Sequence, residues 1–367
     1  MRVLFAPDAF KGTISAAHAA QALADGWLAV RPGDEAVVLP LADGGEGTLD
    51  AMARAIPGAV RKPVTGVPGP DGRPVDGAWL LLPDGTGFVE LAAVSGLPLL
   101  DAPDPLGAHT AGLGAVIADA LRAGVTALTV AVGGSASTDG GTGALSVLGP
   151  RFLDATGRVL PRGGGALTRL SSVDLSHLVP APPGGVQVLT DVRHPLLGEQ
   201  GAARIFGPQK GATPEDVAVL ESGLSRLALV LGGDPGQPGA GAAGGTSYGF
   251  VTLWGATLAP GAERIADLVG LRDQLTRADV VVTGEGRFDA TSLNGKVVGT
   301  VVDIVARTSG PELALVAGSI AAPPPPGAVA CEDLTLVAGS AASASGRAAH
   351  WLRHTGGALA GRFTTRP

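Results

Sequence analysis

Short apolar runs alternate with longer Ala- and Leu-rich stretches along most of the chain, and polar turns separate them. Residues 2–6, 36–41, 127–132, 186–190, 280–283 and 313–317 are nearly all apolar. Such continuous runs predict strands buried on both faces, because a half-exposed strand would alternate. Residues 15–30 predict an Ala-rich helix, and another helix is expected to start at 49–55. The clearest helix follows Thr213, which can cap it, with Pro214 in the first turn and Glu215 and Asp216 facing the positive end of the helix. Val217, Leu220, Leu224, Leu227 and Leu231 follow at helical spacing, and Gly232-Gly233 stops the run. Strands alternating with helices predict a parallel sheet. Residues 64–91 break the pattern: turns at 69–72 and 83–85, rich in Gly, Pro and Asp, predict antiparallel hairpins.

The 367 residues are more than twice a typical domain, which points to two domains. A 45% hydrophobic and 16% charged composition can build a sizeable core. The 58 glycines and 29 prolines show no three-residue period, which excludes collagen. Aromatics at 4% disfavour a base-stacking platform, and a net charge of -7 argues against nucleic acid or an anionic membrane as partner. The single cysteine, Cys331, excludes an intrachain disulfide and a cysteine-based zinc site. The first apolar run is stopped by Pro7 and Asp8, and the longest uncharged stretches are interrupted by Gly or by the prolines at 323–326. Neither feature fits a secretion signal or a membrane helix, so a cytoplasmic protein is expected.

The chemistry concentrates in Gly-rich turns at strand ends. Residues 133–137 (Gly-Gly-Ser-Ala-Ser) follow a strand and could cradle an anion with backbone N–H groups, although a plain tight turn is the common alternative. Residues 43–49 and 139–145 echo one another, and a related turn is expected at 283–289. Only four lysines occur, and Lys11, Lys210 and Lys296 each touch a glycine. A compact ammonium on a flexible stem suits a phosphate oxygen. Asp8, Asp43, Glu46, Asp139, Asp191, Glu285 and Asp289 lie at or just past strand ends, where carboxylates can hold Mg²⁺ or orient a hydroxyl; each could equally cap a helix or form a turn. No P-loop or nucleophile-elbow motif is present. The Gly-x-Gly-x-x-Gly match at 239–244 follows a loop rather than a strand and reads as a flexible or close-packed turn. His350 and His354 fit a solvated helix face. Lysines, carboxylates and anion cradles together suggest phosphoryl transfer, which depends on positioning and charge neutralisation.

Seven motifs in order carry a family likeness. They are residues 6–12 (APDAFKG), 42–48 (ADGGEGT), 133–141 (GGSASTDGG), 190–192 (TDV), 206–212 (FGPQKGA), 238–244 (PGAGAAG) and 283–287 (TGEGR). With them the chain resembles the glycerate kinase type 1 family, from the N-terminus to about Lys296 and less clearly beyond. The resemblance implies an α/β fold of two domains. A parallel Rossmann-like domain would be built from residues 1–62 and 265–367, and an inserted α/β domain with a mixed sheet from 63–264, with an active-site cleft between them. It also implies ATP-dependent, Mg²⁺-assisted phosphorylation of D-glycerate, giving 2-phosphoglycerate. Under it, Asp191, Lys11, Asp8 and Lys210 are expected to be catalytic, with Asp191 the first choice of base and Asp8 the second. Gly133, Gly134, Ser135, Lys296 and Glu285 would hold nucleotide phosphates. Arg287, Asp43 and Ser95 would contact the acceptor, and Asp43, Glu46, Asp191 and Glu285 would serve the metal.

The chain departs from the family pattern at Ala9, Thr138, His194 and Thr291, each of which changes hydrogen-bonding groups beside a motif. These departures bear on the acceptor more than on the fold. A kinase for another small hydroxy acid or polyol therefore stays open, as does a non-catalytic nucleotide or metabolite regulator. A Rossmann oxidoreductase rests only on the misplaced glycine match. No nucleic-acid or membrane partner is expected beside ATP and glycerate, and a homo-oligomer stays open.

Overall fold

The computed structural model describes residues 1–308 and 310–363. The chain forms two compact units, one from residues 1–43, 50–57 and 260 onward, the other from 44–49 and 58–259.

The first unit carries a five-stranded, wholly parallel sheet. Its order is Ala328–Asp333, Glu312–Ile320, Val280–Phe288, Arg2–Phe5, Glu35–Val38. Val3, Leu4 and Phe5 are all buried, as are Val280 to Val282 and Leu313 to Ala317, so neither face of these strands meets water. The continuous apolar runs are thus explained by burial on both sides. Helices Ala16–Val30 and Ala348–Arg362 pack beside the sheet, with Leu23, Trp27, Leu352 and Leu359 in one core with Val3, Phe5 and Val282. Ser15 caps the first helix by accepting the His18 N–H. The two helices approach closely because Gly26 and Gly356 lack side chains. A methyl group at Gly26 would strike the Arg353 carbonyl, and one at Gly356 the Leu23 carbonyl.

The second unit carries a six-stranded mixed sheet in the order Thr257–Ala259, Val186–Leu189, Ala127–Ala131, Thr86–Glu90, Pro74–Leu81, Val60–Pro68. The first four strands run parallel, and the last three form an antiparallel meander where the turns at 69–72 and 83–85 fold the chain back. Helix Pro214–Leu231 begins with Thr213 and Asp216 in a reciprocal capping box and buries Leu220, Leu224 and Leu227.

One expectation changes. Residues 283–289 are not a turn: the strand begun at Val280 runs to Phe288, in register with Glu312–Ile320 as far as Ile320. Polar residues stay in the strand because parallel partners on the Glu312–Ile320 side satisfy their backbone, and Gly284 and Gly318 permit the close approach. The glycine run at 239–244 takes the close-packed form of the expected turn, and it leads into helix Ala242–Trp254, where Ala243, Gly244 and Gly245 adopt positive φ. Gly244 lies against the backbone of Ser137 and Thr138, which leaves no room for a side chain. No helix among the described residues is long and apolar enough to cross a membrane.

Candidate active site

The first unit's sheet follows the order 2-1-3-4-5 when its strands are numbered along the chain. In such sheets the chain leaves the first strand in one direction and later strands are added on its other side. The crevice at the carboxyl ends, between the first and third strands, is where ligands bind. Here those strands are Arg2–Phe5 and Val280–Phe288. An open pocket of about 600 Å³ lies at this end of the unit. Asp8, Lys11, Asp43, Glu285, Arg287, Asp289 and Lys296 all line it.

Local pairing places these side chains. Beyond the first strand the Ala6 N–H donates to Val282 O and the Asp8 N–H to Gly284 O, both at 2.8 Å, so Asp8 is fixed just past the sheet. Gly286 lies against the Phe10 and Lys11 backbone, where a Cβ would sit 3.3 Å from the Lys11 backbone nitrogen and make a tight contact. Asp8 is only 7% exposed. The Lys11 ammonium donates to Asp43 Oδ2 at 3.1 Å. Lys296 donates to the Thr291 hydroxyl at 3.1 Å, and that hydroxyl donates to Asp289 Oδ1 at 2.8 Å. Arg287 approaches Asp289 at 3.6 Å.

The electrostatics single out Asp8. Burial, with the Asp43 carboxylate and to a lesser degree Glu285, raises its pKa from 3.8 to about 7; Lys11 and the Ala9 N–H oppose the shift. For Lys11, partial desolvation pulls down, but Asp43 and Asp8 outweigh it, and its pKa lies above the ordinary lysine value. Burial raises Glu285 against the opposing Ser292 hydroxyl and Lys296 ammonium. Glu285 Oε1 is buried and has no hydrogen-bond partner among the described residues. The pocket thus holds a carboxyl poised near neutrality, two ammonium groups and further hard oxygen donors. Among the described residues no three His, Cys, Asp or Glu side chains are preassembled as a metal cage.

The remaining expected residues lie in the second unit. Glu46 is exposed, and Asp191 is half-buried just past strand Val186–Leu189. The Gly133 N–H is already donated to Gly44 O at 3.0 Å, the Ala136 N–H to Ser95 O, and the Ser137 N–H to Ser135 Oγ. Gly134 turns the loop with φ at 74°, and its carbonyl accepts the Leu97 N–H. Ser95 is fully buried, and its hydroxyl has no partner among the described residues. The Lys210 ammonium is buried and donates to Ser137 O, and desolvation pushes its pKa down to about 8 although Asp139 opposes. Asp139 accepts from the Thr110 N–H and hydroxyl and from the Gly141 and Gly143 N–H groups. Much of this loop's donor capacity is therefore spent internally.

The departures also have places. Ala9 lines the pocket, and its N–H donates to Asp8 Oδ1 at 2.7 Å. Thr138 is buried, with its hydroxyl unpartnered among the described residues. His194 Nδ1 lies 3.0 Å from Gln200 O and its ring meets Phe206 edge-on. The pocket has a further wall that the motifs did not reveal: Gly318, Ser319, Leu334, Thr335 and the Ala/Ser run from Ala341 to Ala348. Its only sequence signal was a tail rich in Ala and Ser from Ala338 to Ala349.

Parallel strands, a pocket at their carboxyl ends, and facing carboxylates and ammonium groups define an α/β protein suited to anionic small ligands. The family model for the glycerate kinase family matches residues 3–362. The chain is 40% identical over 329 residues to glycerate 2-kinase from Escherichia coli K12, covering 87% of this chain and 86% of that protein. It is also 40% identical over 305 residues to glycerate kinase from Bacillus subtilis 168, covering 81% and 79%. A crystal structure from Salmonella typhimurium LT2, described as a candidate glycerate kinase 2, superposes with a TM-score of 0.83 at 36% identity, covering 99% of this chain and 98% of that one. This chain belongs to the glycerate kinase family.

Proposed function

We propose that this chain transfers the γ-phosphoryl group of ATP to a hydroxyl of D-glycerate, giving 2-phosphoglycerate, and does so in the cytoplasm. The observation that carries the reading is the buried Asp8 carboxyl, its pKa near 7, beside Lys11, Asp43 and Glu285 at the carboxyl ends of parallel strands. Asp8 accepts the proton of the glycerate hydroxyl as its oxygen bonds to the γ-phosphorus. The bond from that phosphorus to the bridging oxygen breaks, and ADP leaves. A base titrating near the working pH combines adequate ionisation with adequate basicity. Lys11 and Lys296 neutralise phosphate oxygens, and Arg287 clamps a carboxylate in bidentate fashion.

Asp43 and Glu285 fit Mg²⁺, because both present hard oxygens to one pocket and Glu285 Oε1 has no protein partner among the described residues. Mg²⁺ takes few protein ligands and keeps water and phosphate for the rest, so a preassembled cage is not required. When bound it would offset charge on the phosphates. In the second unit, Lys210 and the Gly133–Ser135 loop take a scaffolding role, since the Lys210 ammonium and the Gly133 N–H are already committed within that unit. Asp191, Glu46 and Ser95 remain part of the proposal, and Asp191→Asn measures the share of the first of these.

The test is a coupled ADP-release assay with D-glycerate, L-glycerate and glycerol, followed by identification of the product isomer by NMR. Turnover with D-glycerate and a 2-phosphorylated product are expected. Faster turnover on glycerol or another polyol would favour the alternative acceptor. Nucleotide binding without turnover on any acceptor would favour a regulator.

A further inference from the structure

The pocket of the first unit changes character across the sheet. Asp43, Asp8, Lys11 and Glu285 follow or lie on the strands Glu35–Val38, Arg2–Phe5 and Val280–Phe288. Gly318 and Ser319 come from the next strand, and Leu334 and Thr335 follow the edge strand Ala328–Asp333. Neighbouring strands are about 4.8 Å apart, so roughly 14 Å separates the strand that carries Asp8 from the edge strand. Beyond Glu285, Arg287, Asp289 and Lys296 no lining residue is ionisable. The wall there is Leu334, Ala341, Ala342, Ala344 and Ala348.

That wall has little polar character to offer. Thr335 donates its hydroxyl to Gly318 O at 2.8 Å, and Ser345 donates its own to Ala341 O at 2.9 Å. Ala344 and Ala348 are buried, whereas Ala341 and Ala342 are exposed, where a longer side chain would cost no core packing. Alanine at these positions leaves space above the helix ends open. Glycerate cannot use this end, because each of its three carbons bears oxygen. A nucleoside triphosphate has both characters in one molecule: anionic phosphates at one end and a flat, largely apolar base at the other.

We propose that the wall formed by Leu334 and Ala341–Ala348 seats the nucleoside of the nucleotide co-substrate, with its phosphates running towards Lys296 and Lys11. This rests on the kinase reading above and adds where the nucleotide lies. The base is held by shape and apolar contact rather than by ring stacking, since Phe10, the one aromatic residue in the lining, is itself buried in the unit's core.

Two measurements test it. Photolabelling the intact protein with 8-azido-ATP, followed by trypsin digestion, is expected to mark the peptide 308–347, which contains most of the wall. Excess ATP should remove the label. Ala342→Trp places bulk at an exposed position of the wall. It is expected to raise the KM for ATP at least tenfold and leave the KM for glycerate within twofold, with an unchanged melting temperature showing that the fold survives. Label confined to other peptides, or a rise in the glycerate KM alone, would overturn the assignment. The two readings fail separately. A wild-type protein that turns over D-glycerate while Ala342→Trp leaves the ATP KM unchanged refutes only this seat. A protein labelled in 308–347 that phosphorylates no glycerate refutes only the acceptor.

Discussion

Asp8 lines the pocket, and Thr291 braces Lys296, which lines it too. A carboxyl with a raised pKa favours the protonated form in the folded state. Its contribution to stability is complete below the ordinary value of 3.8 and is lost as pH rises towards about 7. The protein therefore keeps at its site a group that costs stability once ionised, a common signature of a functional acid or base. The Thr291 hydroxyl links Lys296 to Asp289. Thr291→Val removes both bonds without changing the side chain's shape. It is expected to raise the KM for ATP about fivefold, the worth of roughly one hydrogen bond. Thr291→Ser should restore the wild-type value in the same steady-state assay. An unchanged KM in the valine variant would mean that Lys296 needs no such support.

Among the elements, those with strong local signals were legible in the sequence. Helix Pro214–Leu231 carries its own start and stop, and the apolar runs 2–6, 127–132 and 186–190 each match a strand to within a residue or two. The stretch from Gly284 to Phe288 was not, because its glycines and charges suit a turn and only the pairing with Glu312–Ile320 makes it strand. The edge strands Thr257–Ala259 and Ala328–Asp333 were missed for a similar reason: they are short and partly exposed, so no apolar run marks them. The positions of Asp8 and Asp43 past strand ends could be read, since acids next to glycines after apolar runs are conspicuous, whereas Glu285 proved to lie within its strand. The alanine wall could not, because alanine has no chemistry to announce.

Close helix packing was equally silent. Gly356 lies within helix Ala348–Arg362, where glycine is otherwise unfavourable, and it abuts the Leu23 carbonyl. Gly356→Ala improves helix propensity but forces the two helices apart. It is expected to destabilise the protein by about 1–3 kcal/mol, the usual cost of overpacking. Thermal or urea unfolding measures this, and a variant as stable as the wild type would show that the contact relaxes freely.

At the scale of the molecule, one unit supplies a parallel sheet whose strand order opens a crevice beside its first strand, and the charged groups gather at that crevice. The fold explains why residues separated by more than 270 positions, such as Asp8 and Glu285, face one pocket: their strands are hydrogen-bonded neighbours. The chain belongs to the glycerate kinase family, and the proposed function assigns that family's chemistry to this pocket. The most direct test is the pH dependence of kcat/KM with ATP, Mg²⁺ and D-glycerate, for the wild type and Asp8→Asn side by side. The wild type is expected to lose about tenfold per pH unit below about 7, as Asp8 takes up its proton. Asp8→Asn should be slower by about 10²–10⁴-fold, with that slope gone. A variant within about threefold of the wild type that keeps the same pH profile would contradict the assignment of Asp8 as the base.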